Sequence, residues 1–369
     1  MSLLPRAKPF FSQPPPAASR ARAALRKTLT SAGTLLVWFQ TPHAMARGLT
    51  ALHEGGREGR VEEGCVRLRL LEGEAPAIVA ALVAALSQDE SEQTRALHVA
   101  GLGEPRLAEF GGILSLRALD LVARSSGLID QLDEGRLTSW FHPILEARAP
   151  HKVFAHEALL RGLDRDGNVQ SPEPLLALAR AAGLLPALDT AACRSAIRAT
   201  ALHAPGRVFI NFSPAAVEDP ERHLRSVEQA VDEAGLPRSQ VVFEVVEADR
   251  IDDTAQLEAV LKGYRSAGFS VALDDLGAGW STLNLVHRLR PDFIKLDREL
   301  VHGVHLNPVK GMIAGKLLEI CQGLGISSIV EGVEVEEELG WVCAHGADFV
   351  QGFLFGRPAE TPRSQAGAA

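Results

Sequence analysis

The chain has 369 residues, of which 46% are hydrophobic and 23% are charged, and this length allows two domains or one barrel with an extension. Such a composition supports a large buried core and excludes a mainly disordered protein. The net charge of −8 argues against a protein that grips a nucleic-acid polymer, although a metal ion can hold a small anionic ligand inside an acidic site.

The cysteines and the hydropathy of the chain predict a cytoplasmic location. No run of residues approaches the roughly 18 consecutive apolar side chains that a membrane-spanning helix needs. The four cysteines lie far apart and include no Cys-x-x-Cys pair, so we expect reduced thiols and no disulfide framework.

The first third of the sequence predicts a tail followed by a small folded module. Residues 1–30 are rich in proline and basic side chains, which indicates a disordered tail. Residues 31–127 predict an α/β module whose role is open between regulation and dimerisation. Its predicted strands are 33–40, 65–71 and 94–100, and its predicted helices are 75–86 and 114–123.

From residue 128 to residue 363 the pattern alternates strands with helices. The predicted strands are 137–145, 153–160, 208–212, 241–246, 270–274, 293–296, 327–330 and 348–350. The predicted helices are 174–182, 185–202, 221–234, 254–267, 282–290, 309–324 and 335–344. Eight strands in about 240 residues fit a (β/α)8 barrel, and a doubly wound open sheet fits the same alternation.

Polar side chains follow the apolar bodies of seven consecutive predicted strands. They are His156-Glu157, Asn211, Glu244, Asp274-Asp275, Lys295, Glu331 and Gln351. The carboxyl ends of barrel strands converge on one face, where active sites lie. Several carboxylates in one small volume require a compensating cation, and oxygen donors without Cys or His favour Mg²⁺, Mn²⁺ or Ca²⁺ over a Cys-bound zinc.

Each of these residues also has a simpler explanation when it is taken alone. Glu157 could pair with Arg161, and Lys295 could be a solvated lysine that bridges to Asp297. These explanations do not say why every strand ends in the same way. Two divalent ions held by adjacent carboxylates are a standard device for hydrolysing phosphodiesters.

The motifs at these strand ends resemble the EAL-domain family of cyclic di-GMP phosphodiesterases over about residues 128–360. In chain order they are Phe141-His142-Pro143-Ile144, Glu157-Ala158-Leu159, Asn211-Phe212-Ser213-Pro214, Glu244-Val245-Val246-Glu247, Asp274-Asp275-Leu276-Gly277-Ala278-Gly279, Asp292-Phe293-Ile294-Lys295-Leu296-Asp297, Glu331-Gly332-Val333-Glu334 and Gln351-Gly352-Phe353. The resemblance implies a modified barrel whose first strand runs antiparallel, and it decides the barrel over the open sheet.

The resemblance also implies a two-ion site for Mg²⁺ or Mn²⁺. The implied ligands are Glu157, Asn211, Glu244 and Asp274 for one ion, and Asp274, Asp275 and Glu331 for the other. The implied activity is hydrolysis of cyclic di-GMP to linear pGpG, with Glu157, Asp275, Lys295 and Glu331 as the catalytic set. A receptor that binds the nucleotide without hydrolysing it remains the alternative.

The remaining implied roles concern water, substrate and the loop beside the site. Lys295 would hold the attacking water and Gln351 would support the site and contact the substrate. Arg161 would contact a substrate phosphate. His142 stands where the family usually has Gln near the substrate base, so we expect altered affinity. Glu247 would brace the loop 275–281, which in the family couples metal binding to homodimer contacts.

Overall fold

The computed structural model describes residue 29 and the ranges 31–62, 64–101, 105–203, 206–213, 220–246, 254–276 and 282–362. The chain divides into two compact units. The described residues of the first unit fall within Met1–Glu134 and Glu173–Leu184, and those of the second within Gly135–Pro172 and Leu185–Ala369. The predicted tail 1–30 lies almost wholly outside the described residues.

The first unit is built on a five-stranded antiparallel sheet with the order β2-β3-β1-β4-β5. Its strands are β1 Gly33–Trp38, β2 Arg60–Glu62, β3 Cys65–Leu70, β4 Arg95–Ala100 and β5 Leu114–Ser115, and its helices are α1 Pro42–Glu54, α2 Ala75–Ala85, α3 Gln88–Gln93, α4 Leu116–Asp133 and α5 Pro172–Ala182. Strand β3 lies between β1 and β2, which is the split β-α-β arrangement of ferredoxin-like folds. One sheet face packs on helices through a core that includes Leu35, Val66 and Leu82.

The five predicted elements of this unit are confirmed, but β2, α1 and α3 escaped prediction, and Leu114–Ser115, predicted as the start of a helix, form strand β5. Helix α1 escaped prediction because its buried positions are Ala44, Gly48 and Leu52, two of which are too small to produce an apolar stripe. Helix α4 continues to Asp133 and so runs through residue 127, where the predicted module ends. The separate function of this module stays a prediction.

The second unit is a closed barrel of eight strands in the order β6-β14-β13-β12-β11-β10-β9-β7, closed by the pairing of β6 with β7. The strands are β6 Leu137–Glu146, β7 Ala149–Leu163, β9 Arg207–Phe212, β10 Val241–Val246, β11 Ser270–Leu276, β12 Phe293–Leu296, β13 Ser327–Val330 and β14 Phe349–Val350, and β8 Val169–Gln170 extends the end of β7. Strand β6 runs antiparallel to both neighbours, while the other ring pairs are parallel. The predicted barrel with an antiparallel first strand is therefore confirmed.

The predicted helix 174–182 is α5 of the first unit and not a barrel helix. Among the described residues seven helices follow the barrel strands, six of them predicted and one, Arg298–Val301, not predicted. They are α6 Leu185–His203, α7 Pro220–Ala234, α8 Thr254–Ser266, α9 Thr282–Leu289, α10 Arg298–Val301, α11 Pro308–Leu324 and α12 Glu336–Ala344. Within the described part of the chain, none of the helices combines the length and the hydropathy that a membrane span requires.

The interior of the barrel begins with an apolar layer to which seven strands each contribute one residue. These residues are Ile144, Ala155, Phe209, Val242, Ala272, Phe293 and Ile329. Their side chains fill one end of the barrel, so the interior is a packed core and not a channel. The layer provides the floor on which the polar residues of the strand ends stand.

Candidate active site

A ring of polar side chains lies one layer above the apolar floor. Alternate residues of a strand face the same side, so the residue two positions beyond each floor residue also faces the barrel interior. The successive pairs are Ala155 and Glu157, Phe209 and Asn211, Val242 and Glu244, Ala272 and Asp274, Phe293 and Lys295, and Ile329 and Glu331. Because these strands run parallel, the six polar residues meet at the carboxyl end of the barrel.

Two amide side chains hold the carboxylate of Glu157. Asn211 Nδ2 donates to Glu157 Oε1 at 2.9 Å, and Gln351 Nε2 donates to Glu157 Oε2 at 2.9 Å. Asn211 belongs to β9, which pairs directly with β7, and Gln351 follows β14, which is separated from β7 by β6. The carboxylate is therefore fixed in orientation before any ligand binds.

Lys295 stands at the centre of the ring and is 1% exposed. Its Nζ atom lies 3.5 Å from Glu157 Oε2, 2.9 Å from Glu244 Oε1, 3.3 Å from Asp274 Oδ1 and 2.5 Å from Glu331 Oε1. One ammonium group cannot balance four carboxylates, so the ring has an excess of negative charge that protons or metal cations must offset. The alternative interpretation of Lys295 as a solvated lysine is therefore wrong.

Glu244 is the most deeply buried carboxylate of the ring, with no exposed surface. Neither of its oxygens has a hydrogen-bond partner among the described residues, although Lys295 Nζ lies within 2.9 Å of Oε1. A buried carboxylate without hydrogen bonds is costly unless a cation compensates it. Glu244 therefore fits a cation ligand better than a structural residue.

Asp274 and Asp275 both face the cavity although they are consecutive in strand β11. The register between β11 and β12 shifts between Leu273 and Leu276, and Asp275 has a positive φ of 58°. Such a bulge breaks the alternation of side chains and re-aims one residue. Oxygen atoms of Asp274, Asp275 and Glu331 lie within 4.8 Å of one another, which is close enough to share one metal ion.

The pKa values of the ring follow from burial and crowding. Burial raises the pKa of Glu331 to about 8, and burial together with Asp274 raises the pKa of Asp275 to about 6. Burial raises the pKa of Glu244 well above its ordinary value. Burial opposes the charge of Lys295, but the surrounding carboxylates outweigh it and raise its pKa, so the amine is an ammonium. Glu244 and Glu331 thus favour their protonated forms when no metal is present, whereas burial raises the pKa of Glu157 less than Lys295 and the two amides lower it.

The ring opens into a cavity of about 410 Å³. The cavity is lined by His142, Glu157, Asp274, Asp275, Lys295, Arg298, Glu331, Gly332, Glu334, Gln351, Gly352 and Phe353. The ring of Phe353 lies near the His142 ring, with the Arg357 guanidinium 4.3 Å above its centre. The opening of the cavity, here called its mouth, therefore carries the aromatic ring of Phe353 beside the nitrogen-bearing side chains of His142 and Arg357.

Sequence reasoning assigned no role to Arg298 and Glu334, which form an ion pair at the cavity wall. Arg298 Nη2 lies 2.9 Å from Glu334 Oε1, and the aliphatic part of Arg298 packs against Gly332. Arg298 directly follows the motif that ends at Asp297, and Glu334 closes the motif that begins at Glu331, but nothing in the sequence links the two side chains to each other.

Of the remaining predicted site residues, Arg161 lies outside the ring and Glu247 is not among the described residues. The Arg161 guanidinium lies 5.0 Å from the centre of the Trp140 ring, and its Nη1 donates to the Leu160 carbonyl at 2.7 Å. The pairing of Arg161 with Glu157 that the sequence allowed is replaced by the amide contacts of Glu157. Glu247 lies outside the described residues, as does most of the loop 275–281.

A closed barrel with a ring of oxygen donors at its carboxyl end defines a protein with a candidate site for divalent metal ions. A model of the EAL domain matches residues 126–358. The chain therefore belongs to the EAL domain family, as the motifs of the sequence predicted.

Curated relatives match a comparable length of the chain. It is 30% identical over 259 residues to the cyclic di-GMP phosphodiesterase NbdA of Pseudomonas aeruginosa, a match that covers 68% of this chain and 32% of NbdA. It is 28% identical over 235 residues to the probable cyclic di-GMP phosphodiesterase PdeG of Escherichia coli, covering 62% of this chain and 45% of PdeG. The chain thus spans less than half the length of these relatives.

Solved structures of EAL proteins have the same fold. A standalone EAL protein from Vibrio cholerae, in its c-di-GMP-bound form, has 30% identity and a TM-score of 0.56, and the match covers 62% of this chain and 94% of that one. The PaMucR phosphodiesterase in complex with c-di-GMP has 25% identity and a TM-score of 0.57, covering 64% of this chain and 96% of that one. The matched region corresponds in extent to the barrel unit.

Proposed function

We propose that this protein hydrolyses cyclic di-GMP to linear pGpG in a reaction that depends on two Mg²⁺ or Mn²⁺ ions. The observation that carries the proposal is the complete set of oxygen donors around the buried Lys295. The naming of family members as cyclic di-GMP phosphodiesterases supports the same substrate.

The donor set fits two divalent cations that share Asp274. The proposed ligands are Glu157, Asn211, Glu244 and Asp274 for one ion, and Asp274, Asp275 and Glu331 for the other. The burial of Glu244 without hydrogen-bond partners among the described residues supports the first set, and the spacing of the three acids supports the second. Bound ions would supply Lewis-acid stabilisation of the charge that develops on the phosphoryl oxygens.

Lys295 has a defined proton state in this scheme. Because its carboxylate neighbours raise its pKa, Nζ remains charged at neutral pH and acts as a hydrogen-bond donor. A charged ammonium cannot abstract a proton, so its proposed role is to orient the attacking water and to stabilise negative charge. Gln351 supports this arrangement by holding Glu157.

The cavity mouth suits a cyclic dinucleotide. The face of Phe353 can stack on a purine ring, and His142 presents ring nitrogens beside it. Arg161 and Arg298 carry guanidinium groups that match phosphate oxygens, and we propose Arg161 as a phosphate contact. His142 in place of the usual Gln is expected to change the KM more than kcat.

The direct test is incubation of the purified chain with cyclic di-GMP and Mg²⁺ or Mn²⁺, followed by chromatographic separation of the products. We expect pGpG with metal and none with a chelator. Glu157→Gln should lower kcat about 10³-fold, because it removes a central ligand. Glu146→Gln is a matched control, since this half-exposed residue pairs with Lys152 far from the ring. Tight binding without product in a single-turnover assay would reject hydrolysis and favour the receptor.

Three wider expectations rest on the family resemblance or on position in the chain. They are a homodimer through the barrel unit, a cytoplasmic location, and regulation of the barrel by the first unit. Deletion of residues 1–134, which removes α4 whole, tests the last of these. No change in rate, oligomeric state or partner binding would count against it.

A further inference from the structure

A second group of side chains that could bind a metal ion lies outside the active-site ring, between helices of the barrel unit. Asp189 and Cys193 are four residues apart in α6 and so occupy the same helix face. His223 comes from the neighbouring helix α7. One oxygen, one sulfur and one nitrogen of these residues lie within 4.8 Å of one another.

The group is enclosed by the apolar packing between the helices and strand β9. Cys193 has no exposed surface, and His223 is 8% exposed. The Phe212 ring lies 5.3 Å from the His223 ring, and the side chain of Asp189 keeps 11% of its surface accessible. Asp189 is therefore the most accessible of the three side chains, while Cys193 and His223 are shielded from water.

The histidine is oriented as a ligand. Its Nδ1 is 2.6 Å from the hydroxyl of the buried Tyr264, which fixes the ring. Its Nε2 is buried and has no hydrogen-bond partner among the described residues, although it lies 3.4 Å from Asp189 Oδ2. A histidine that binds a metal through one nitrogen typically has the other held by an outer partner.

We propose that Asp189, Cys193 and His223 form a buried site for a zinc ion. A thiolate, an imidazole and a carboxylate are the donor types that Zn²⁺ takes in proteins, and Mg²⁺ does not favour sulfur. Tyr264 is then a positioning residue, because it acts through the His223 ring. The donor chemistry differs from the all-oxygen ring, so the two sites select different metals.

The site contacts the backbone at Asn211 and at Ser213, two residues further along the chain. Asp189 Oδ1 accepts a hydrogen bond from the Ser213 amide at 3.1 Å, and Cys193 Sγ lies 3.8 Å from the Asn211 carbonyl oxygen. The same Asn211 holds Glu157 through its side chain. Zinc at this site would therefore stabilise the strand end that carries an active-site residue.

The test is a titration of the purified, reduced full-length chain with Co²⁺ as a spectroscopic probe for zinc. A thiolate bound to Co²⁺ gives a charge-transfer band in the near ultraviolet, which oxygen ligands of the active-site ring cannot give. We expect this band to saturate at one Co²⁺ per chain and to be lost when Zn²⁺ is added. Tyr264→Phe should weaken Co²⁺ binding at this site about 10- to 100-fold.

Single-residue variants identify which side chains bind the Co²⁺ that gives the charge-transfer band. Cys193→Ser and His223→Gln should remove it or shift it, whereas Cys65→Ala, Cys321→Ala and Cys343→Ala should each keep it. Absence of the band in the wild-type chain would overturn the proposal. The cluster would then be a hydrogen-bonded network of Asp189, His223 and Tyr264 that binds no metal. Persistence of an unchanged band in Cys193→Ser would also overturn it. The wild-type titration decides the question even if a variant fails to fold.

Discussion

Lys295 Nζ lies 2.9 Å from Glu244 Oε1, and both side chains are almost completely shielded from solvent. Three further carboxylates lie within 3.5 Å of the same ammonium group. A buried pair of this kind adds little stability over an apolar pair, but removal of one partner leaves an uncompensated charge. The lysine is thus the group whose loss changes both the charge and the chemistry of the ring.

Lys295→Met should lower the free energy of unfolding by about 3 to 5 kcal/mol in the presence of a chelator, because the buried carboxylates lose their cation. Added Mn²⁺ should restore part of this loss, since divalent ions can replace the missing positive charge. Turnover should fall about 10²- to 10³-fold and should not recover with metal. Urea denaturation and product chromatography measure the two effects.

Lys316→Met is the control for this substitution, because Lys316 is an exposed residue of α11 that pairs with Glu319. Its stability should change by less than about 0.5 kcal/mol. If Lys295→Met were as stable and as active as this control, the central role of Lys295 would be wrong.

The raised pKa of Glu331 makes the stability of the metal-free chain depend on pH. Its pKa is about 8 in the folded chain and near 4.5 as an ordinary carboxyl group. The stability that the protonated carboxyl group of Glu331 gives the folded chain is fully present below about pH 4.5 and is lost as the pH rises through about 8. Thermal melts in chelator should therefore show a steeper fall in Tm with rising pH for the wild type than for Glu331→Gln.

Metal should remove this difference, because the ring then binds cations in place of protons. Glu336→Gln, at an exposed position of α12, should keep the pH slope of the wild type. Equal slopes for wild type and Glu331→Gln in chelator would contradict the assignment of a proton to Glu331.

Gly352→Ala should damage the cavity wall through a steric clash. A Cβ atom at this position would lie 2.1 Å from the Val333 carbonyl oxygen and 2.4 Å from the Val333 nitrogen. The backbone must shift to relieve this contact, which should cost about 1 to 3 kcal/mol and displace the neighbouring Gln351 from Glu157. Urea denaturation and the rate of pGpG formation measure both consequences.

Gly340→Ala is the matched control, since Gly340 lies in α12 and nothing is within 4 Å of the added Cβ. This variant should be as stable as the wild type or more stable by up to about 1 kcal/mol. A Gly352→Ala protein as stable and active as Gly340→Ala would show that the cavity wall adapts without cost.

His98 makes the first unit sensitive to acid. Its side chain is 2% exposed, and neither ring nitrogen has a hydrogen-bond partner among the described residues. Burial lowers the pKa of His98 below its ordinary value of 6.5, so the folded unit holds it neutral. The part of the first unit's stability that depends on a neutral His98 is present above about pH 6.5 and is lost as the pH falls below this value.

His98→Leu should flatten this acid dependence, and His53→Gln, at the exposed end of α1, should not. Hydrogen exchange of the β1 and β4 amides reports on the first unit directly. Faster exchange at pH 5.5 than at pH 7.5, after correction for the intrinsic rate, is expected only for the chains that keep His98. Identical protection at the two pH values in the wild type would refute the effect.

Much of the barrel was predictable because its strands obey a local rule. Apolar bodies followed by a polar residue identify both the strand and its carboxyl end, as Phe293 and Lys295 illustrate. The eight predicted strands agree with the observed ones, although β7 begins four residues earlier and continues three residues further than its predicted range 153–160. Charge alone would suggest a solvated Lys295 paired with Asp297, whereas its place after a strand body identified it as a site residue, and Asp297 caps α10 instead.

Features that depend on packing between distant segments were not predictable. The bulge that turns Asp275 into the cavity depends on the register between two strands. The cluster of Asp189, Cys193 and His223 forms because α6 and α7 pack side by side, and no spacing rule links His223 to the other two. The Arg298–Glu334 ion pair is likewise indistinguishable in sequence from ordinary surface charge.

Strand β6 has one edge on β7 and the other on β14, where Glu146 pairs with Phe349. During translation, β6 leaves the ribosome long before β14 exists. At typical elongation rates this interval lasts on the order of 10 to 40 s. For that time the nascent chain carries an open sheet edge, which is a template for aggregation. The newly made protein is therefore expected to depend on chaperones until its last strand emerges.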